Sequence, residues 1–280
     1  MTAGISLAVL AAVLIGTGDF IGGVLGRRDP TPASLVAVFA WMVTVSVPIA
    51  LFLGSPFTTG ELLGSIGLGV CWLVGFYAIM MGIAEGKVVV VVPIAGVVSV
   101  AIPVAIDAAR GVRPTTVAGI GVVVGMTAVA IVGLGPGGEG TRSRQWSAAM
   151  GLVGGIATGL AFTFLDQATG AGIWPVAVAS LVALLLAVGF LSATRRRLWV
   201  ARGGLVPSIA LAVLFLASFS ALLAAFTKGT LTIVSVVASQ YPAVTLGLAA
   251  LIWRQRPRGI QYLGAALALV SLALIAVGSA

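Results

Sequence analysis

The sequence predicts an all-α integral membrane protein whose ten transmembrane helices form two inverted five-helix repeats. Three observations lead there. Hydrophobic residues make up 60% of the 280 positions and charged residues 8%, with a mean hydropathy of +1.21, where a soluble domain carries roughly 25% charge. Cutting the chain at its charge and Gly/Pro clusters leaves ten apolar segments of about 20 residues, the length that spans a bilayer core. The second half also repeats features of the first at a fixed offset. No polar stretch approaches the roughly 50 residues of a soluble domain, which excludes an enzyme with a large catalytic head.

The first segment, 3–25, is closed by Arg27 and Arg28; it lacks a basic start and a clear cleavage site, so it reads as a retained helix. The second, 33–53, begins past Asp29 and carries Trp41 and Pro48. The third and fourth, 62–84 and 88–109, are separated by the tight Glu85-Gly86-Lys87. The fourth contains Pro93 and Pro103 and ends with Asp107 and Arg110, whose spacing lets them pair. Arg113-Pro114 precedes the fifth, 115–134, and the longest link, 135–146, holds Glu139, Arg142 and Arg144. The sixth, 147–166, ends at Asp166, and the seventh, 174–193, at Arg195, Arg196 and Arg197. Arg202 and Lys228 bracket the eighth, 205–227. The ninth, 230–252, contains Pro242, and Arg254, Arg256-Pro257 and Arg258 precede the tenth, 259–278. Apolar character runs all round each segment, so helices are expected rather than barrel strands of period two.

The repeat is read from identities. Ser65-Ile66 matches Ser208-Ile209, Leu73 matches Leu216, Phe76 matches Phe219, Gly86 matches Gly229, Arg113-Pro114 matches Arg256-Pro257, and Gly121 matches Gly264, all 143 positions apart. Nearer the start, Ile15-Gly16-Thr17-Gly18 resembles Ile156-Ala157-Thr158-Gly159 at an offset of 141. The expected organisation is a first repeat over 1–134, a link over 135–146 and a second repeat over 147–280, within one transmembrane domain. Five helices are an odd number, so the second repeat enters the membrane from the opposite side. Inverted repeats are the architecture of secondary transporters, with a midplane site between the halves; a duplicated scaffold without transport is the alternative.

These features resemble the drug/metabolite transporter superfamily, EamA type: five plus five helices, the tight third-to-fourth turn, the Pro-containing fourth helix and the two Arg-Pro turns before Gly-rich helices. The segment Ser239-Gln240-Tyr241-Pro242-Ala243-Val244-Thr245 is similar to that family's ninth helix. The resemblance implies a central cavity fed by helices 1, 3, 4, 6, 8 and 9, and export of amino acids or related metabolites. Where the family places a Glu before the Arg-Pro turn, this chain has Val112 and Gln255, so no role of that Glu carries over.

Gly18, Gly22 and Gly26 in the first helix, and Gly151, Gly155 and Gly159 in the sixth, recur every four residues. Such spacing makes a groove for close helix packing, since lipid supplies no hydrophobic drive for association. Pro48, Pro93, Pro103 and Pro242 lie inside apolar spans and free backbone carbonyls there. The links 1–2, 3–4, 5–6, 7–8 and 9–10 hold twelve Lys or Arg against three on the other side, which favours a cytoplasmic basic side with both termini outside. The family resemblance implies the opposite orientation.

Asp29, Glu61 and Glu139 read as solvated link charges, and Glu85 as a loop charge or a gate element. Asp19 is different, because it sits within a span, more than a turn from Arg27. A carboxylate there must face the bundle interior or water. Two readings stand: a substrate or proton site, or a packing polar group bonded to a neighbouring Ser or Thr. Trp41, Trp72, Tyr77, Gln240 and Tyr241 are the other mid-depth candidates, whereas Trp146, Trp199 and Trp253 read as interface anchors.

His is absent and Cys71 is the only cysteine, so metal-ligand spacing and a base for a nucleophile are missing. No P-loop is present. The sequence therefore predicts no enzyme, no cofactor, no metal and no nucleic-acid partner. The expected partners are a small-molecule substrate and the lipid bilayer, with the chain a monomer or a homodimer. The expectation is a multi-pass plasma-membrane exporter of a small organic metabolite working by alternating access, with uptake of a sugar or neutral solute, or a non-transporting partner protein, as alternatives.

Overall fold

A computed structural model describes residues 2–29, 31–53, 58–111, 115–134, 141–193, 195, 199–253 and 259–278. Every regular element among them is helical: α1 (Thr2–Arg28), α2 (Thr31–Leu53), α3 (Thr59–Glu85), α4 (Val88–Ala109), α5 (Thr116–Leu134), α6 (Arg144–Gln167), α7 (Trp174–Ala193), α8 (Leu205–Phe226), α9 (Leu231–Ala238), α10 (Tyr241–Ile252) and α11 (Gly259–Gly278). Short 3-10 turns at Thr169–Ala171 and Arg202–Gly204 lead into α7 and α8. Eight spans among the described residues are long and apolar enough to cross a membrane, α9 and α10 counting together as one. With α5 and α11 the helices counted in this way among the described residues come to ten. Arg113-Pro114, Arg256-Pro257, Val112, Gln255, Glu139, Arg196, Arg197, Arg254 and Arg258 lie outside the described residues.

The ninth span departs from expectation, being two helices rather than one over 230–252. Pro242 has no N–H to offer the carbonyl of Ala238, and its ring crowds the preceding turn. The chain accordingly closes α9 with Ser239 N–H donating to Ser235 O at 2.9 Å, and restarts with Ala243 N–H donating to Gln240 O at 3.0 Å. Pro48, Pro93 and Pro103, by contrast, stay inside the continuous helices α2 and α4. The sixth helix starts a turn earlier than expected, because Ser143 caps it by accepting from Trp146 N–H.

Contacts between links sort the chain ends. Arg142 pairs with Glu85 at 2.9 Å, Asp29 accepts from Ala201 N–H at 2.8 Å, and the Arg27 guanidinium lies 3.6 Å over the Trp253 ring. Together with Gly23 near the end of α1 lying against Ile83 near the end of α3, these contacts gather the links 1–2, 3–4, 5–6, 7–8 and 9–10 at one end. At the other end Thr232 donates to Asp107, Thr115 donates to Gly278 O, and Gly4 lies against the carbonyl of Lys228. Asp107 also pairs with Arg110 at 3.9 Å, as its spacing suggests.

In the bundle, α1 packs along α8 and α3 along α6, α4 lies on α6, and α10 lies on α1. α2 and α7 form one flank, and α5 with α11 the other. Side chains such as Phe52 and Leu251 are 91% and 78% exposed, which lipid rather than water covers.

The α4–α6 seam is set by glycine. A Cβ at Gly151 would lie 2.7 Å from Val91 O, one at Gly155 2.8 Å from Ala95 O, and one at Gly159 2.9 Å from Ser99 O. The row in α1 works differently: Gly18 faces the Phe215 ring, Gly22 faces Met80 and Leu211, and Gly26 is half-buried. At the offset of 141, Gly18 pairs with Gly159, but Gly22 pairs with Thr163 and Gly151 with Leu10, so the two rows share one position and run from it in opposite directions along their helices. Gly155→Leu is expected to lower stability by on the order of 3 kcal/mol, read as the unfolding midpoint in detergent. Gly189→Leu, where a Cβ meets nothing within 4 Å, is expected to leave the midpoint unchanged.

Candidate functional site: a closed central cavity

Asp19 lies eight residues before Arg27 on α1, about 12 Å along the helix axis. It is 3% exposed, and its Oδ2 is buried without a hydrogen-bond partner. The nearest hydroxyl in sequence, Thr17, donates to Val13 O instead. Asp19 faces a small closed cavity, about 20 Å³ in water-accessible volume, together with Trp72 and Phe76 of α3, Phe162 of α6, Phe219 of α8 and Tyr241 of α10. That is room for about one water. Trp72 Nε1 is likewise buried and without a partner.

Glycine again places the walls. Gly16 lies one turn before Asp19, and a Cβ there would stand 2.5 Å from Tyr241 O and 2.7 Å from Val244 Cβ. Only the missing side chain lets α10 lie on α1, and Thr245 ties the contact by donating to Gly16 O at 3.0 Å. On the opposite wall, Phe76 stacks on Phe215 at 4.2 Å between centroids, and Trp72 meets Phe219 at 4.3 Å with the rings tilted by 49°. Phe76 and Phe219 themselves lie 6.0 Å apart.

Of the six candidate residues, the structure brings Asp19, Trp72 and Tyr241 together. Trp41 is half-buried and stands against Trp199 with centroids 6.4 Å apart. Tyr77 lies in a separate apolar groove of about 320 Å³ between α2, α3, α6 and α7. Gln240 is half-buried at the break between α9 and α10, where its backbone opens the α10 turn. Helical phase explains the split: Tyr77 is five residues past Trp72, and so is turned to another face of α3. Phe76, Phe162 and Phe219 were not singled out by the sequence reading. The identity of Phe76 with Phe219 across the repeat was the available signal.

The link acids also differ from expectation. Asp29 is not solvated: it is 5% exposed, accepts from Ala201 N–H, and sets its second oxygen against Gly204 at the start of α8. Glu61 is half-buried as the third residue of a capping box with Thr58, and its Oε1 lies over Gly170. Glu85 is tied to the fifth-to-sixth link through Arg142 and through its own carbonyl, which accepts from Thr141 and Arg142 N–H.

Residues 145–277 match the EamA-like transporter family, part of the drug/metabolite transporter superfamily. A crystal structure of another protein covers 95% of this chain and 96% of its own, with a TM-score of 0.65 at 15% identity, a likeness of fold alone. No curated protein matches the sequence. Cys71 is a buried free thiol beside the cavity, so it reports on closure. Gly16→Ala puts a methyl into the α1–α10 contact and is expected to raise the rate of Cys71 labelling by a hydrophilic maleimide severalfold. Gly247→Ala, with nothing within 4 Å, is expected to leave that rate unchanged.

Proposed function

We propose, from the match of residues 145–277 to the EamA-like transporter family, that the protein is a secondary transporter of a small organic metabolite, working by alternating access between inverted repeats. The observation that carries the reading is the closed central cavity, walled by helices from both halves, with a lone carboxylate whose oxygen has no partner. An intramembrane acid without a structural bond marks a substrate or ion path by default.

Exchanged contacts support the inverted repeat. A two-fold relation requires that if residue i touches the equivalent of j, then j touches the equivalent of i. At the offset of 143, Phe215 is the equivalent of Trp72 and Phe219 of Phe76, and the closest ring pairs are Phe76 with Phe215 and Trp72 with Phe219. Gly96 packs on Pro242 while Ser99 bonds Ser239 at 2.9 Å, again partners exchanged at that offset. Asp29 lies on Gly204 and Glu61 on Gly170. Gly170 is 141 positions from Asp29, and Gly204 is 143 from Glu61. Acid and glycine thus trade places between the two ends of the bundle.

The two closures differ in build. At the basic end, α1 lies along α3 with Gly23 against Ile83. At the other end, the equivalent helices α6 and α8 meet through the rings of Phe162 and Phe226, 6.5 Å apart. We read this form as closed at both ends, each closure held by one acid-on-glycine latch. The charge bias favours a cytoplasmic basic end; a plasma membrane as the location and export of amino acids or related metabolites as the direction and cargo class are what we propose.

Two measurements test the reading. In proteoliposomes offered a panel of amino acids and sugars with and without a proton gradient, Asp19→Asn is expected to abolish gradient-driven accumulation and spare substrate exchange. Wild-type rate, affinity and gradient dependence in that variant would overturn the role of Asp19. In sided vesicles, Asp29→Ala is expected to admit an impermeant thiol reagent to Cys71 from the basic end, and Glu61→Ala from the other. A cysteine at Thr141 reports which end is outside. Equal labelling of both variants from one side would overturn the two-latch account.

A further inference from the structure

We infer that the apolar groove between α2, α3, α6 and α7 is a binding site for one anionic phospholipid, with an acyl chain in the groove and the headgroup among arginines at the basic end. The inference goes beyond the transport reading and does not depend on it.

Depth fixes which part of a lipid fits. The groove, of about 320 Å³, starts near the basic end with Pro32, the second residue of α2, and Phe190, three residues before the end of α7. Its deepest residue on α3, Leu73, lies twelve residues before Glu85 at the end of that helix, about 18 Å along the axis. A bilayer core is roughly 30 Å thick, so the groove runs from one surface to about the middle. That is the reach of a chain from a single leaflet.

The walls suit such a chain. Tyr77 is the only residue around the groove that carries a hydroxyl, and none carries an amide or a charge. Val74, Val153 and Phe190 are exposed, so the groove opens sideways to lipid. It is also separate from the central cavity. No residue lines both spaces, and between them α3 lies tight on α6: a Cβ at Gly75 would stand 3.3 Å from Ala157 Cβ, and one at Gly154 2.7 Å from Ile79.

Charge selects the headgroup. Arg28 lies three residues before α2, Arg144 opens α6, and Arg195 follows α7 by two residues, so each stands where a wall of the groove meets the basic end. Arg28 and Arg195 are exposed and Arg144 is half-buried. Among the described residues none of the three has an ion pair. The described acids of that end are engaged elsewhere: Glu85 holds Arg142 at 2.9 Å, and Asp29 accepts from Ala201 N–H at 2.8 Å. A membrane surface supplies the missing counterion as the phosphate of an anionic lipid. A zwitterionic lipid brings its own cation to the same three arginines and gains less from them.

The test is native mass spectrometry of the full chain in detergent, incubated with equimolar phosphatidylglycerol and phosphatidylcholine that carry the same acyl chains. One phosphatidylglycerol is expected to stay on each chain, with at least a fivefold preference over phosphatidylcholine. Replacing Arg28, Arg144 and Arg195 together by Gln should bring that preference to within twofold, since each arginine near a membrane surface is worth roughly a fivefold change in anionic-lipid binding. Val153→Trp fills the groove and should remove the retained phosphatidylglycerol. Val213→Trp, at an exposed position of α8 away from the groove, should keep it.

Equal retention of the two lipids, an unchanged preference in the triple arginine variant, or full retention in Val153→Trp would overturn the inference. If Val153→Trp does not fold, the arginine variant and the comparison of the two lipids on the unaltered chain still decide. A chain that instead appears as a dimer dissociated by Val153→Trp would show a second copy in the groove, and would overturn the inference as well. Because no flux is measured, none of these results bears on alternating access.

Discussion

Helices in a bilayer gain nothing from leaving lipid for one another, so close contact has to be made by shape and by polar bonds. Everything central to this structure depends on that constraint. Gly151, Gly155 and Gly159 bring α6 onto the backbone of α4, and Gly16 brings α10 onto α1. The second contact matters most for the cavity, since it sets Tyr241 beside Asp19 across two helices from different halves. A single methyl group at Gly16 would meet a carbonyl oxygen that cannot move without moving α10.

The same constraint explains why polar side chains are few and local. Ser65, Thr163, Ser180 and Ser218 each bond a carbonyl three or four residues back in their own helix. These satisfy the hydroxyl without asking anything of a neighbour. The polar bonds that cross between helices sit within the bundle, in Ser99 with Ser239, Thr245 with Gly16 and Ser271 with Gly121, or at the two ends. Among the described residues Asp19, Trp41, Ser46, Trp72, Ser235 and Tyr241 keep a buried polar atom without a protein partner, and three of them, Asp19, Trp72 and Tyr241, face the one cavity. Such atoms are destabilising unless a ligand or water meets them, which is why their joint presence at one cavity carries functional weight.

The breaks in regularity are placed with equal economy. Pro242 splits the ninth span beside Gly96 of α4, so the one interrupted span among the described residues breaks where it meets a helix that itself carries two prolines, Pro93 and Pro103. Discontinuous helices at mid-membrane expose backbone groups, and proteins tolerate them where they face other protein or a cavity. Tyr241, the first residue after the break, faces the cavity. Sequence features that look like defects in a helix therefore converge on the site.

The sequence alone determined the class of the elements and the number of apolar spans, though not the break that makes two helices of the ninth. Sixty per cent hydrophobic residues with clustered charge leave ten apolar stretches, and in lipid a polypeptide stretch of that length has only the helix open to it. It also determined Asp19 as the acid that needs an explanation, because a charge amid apolar residues is visible in one dimension. The identities at a fixed offset, Phe76 with Phe219 above all, pointed to the residues that meet across the cavity. Only the tertiary structure decided which polar residues share a face. Tyr77 and Trp72 are neighbours on the same helix yet look into different spaces, Gln240 serves a turn, and Asp29 is buried on the start of a helix 170 residues and more away in sequence. The physical reason is that apolar character all round each helix leaves no amphipathic stripe to read. Rotation of a helix about its axis is then set by glycine contacts and ring stacking with partners distant in the chain, which no local pattern records.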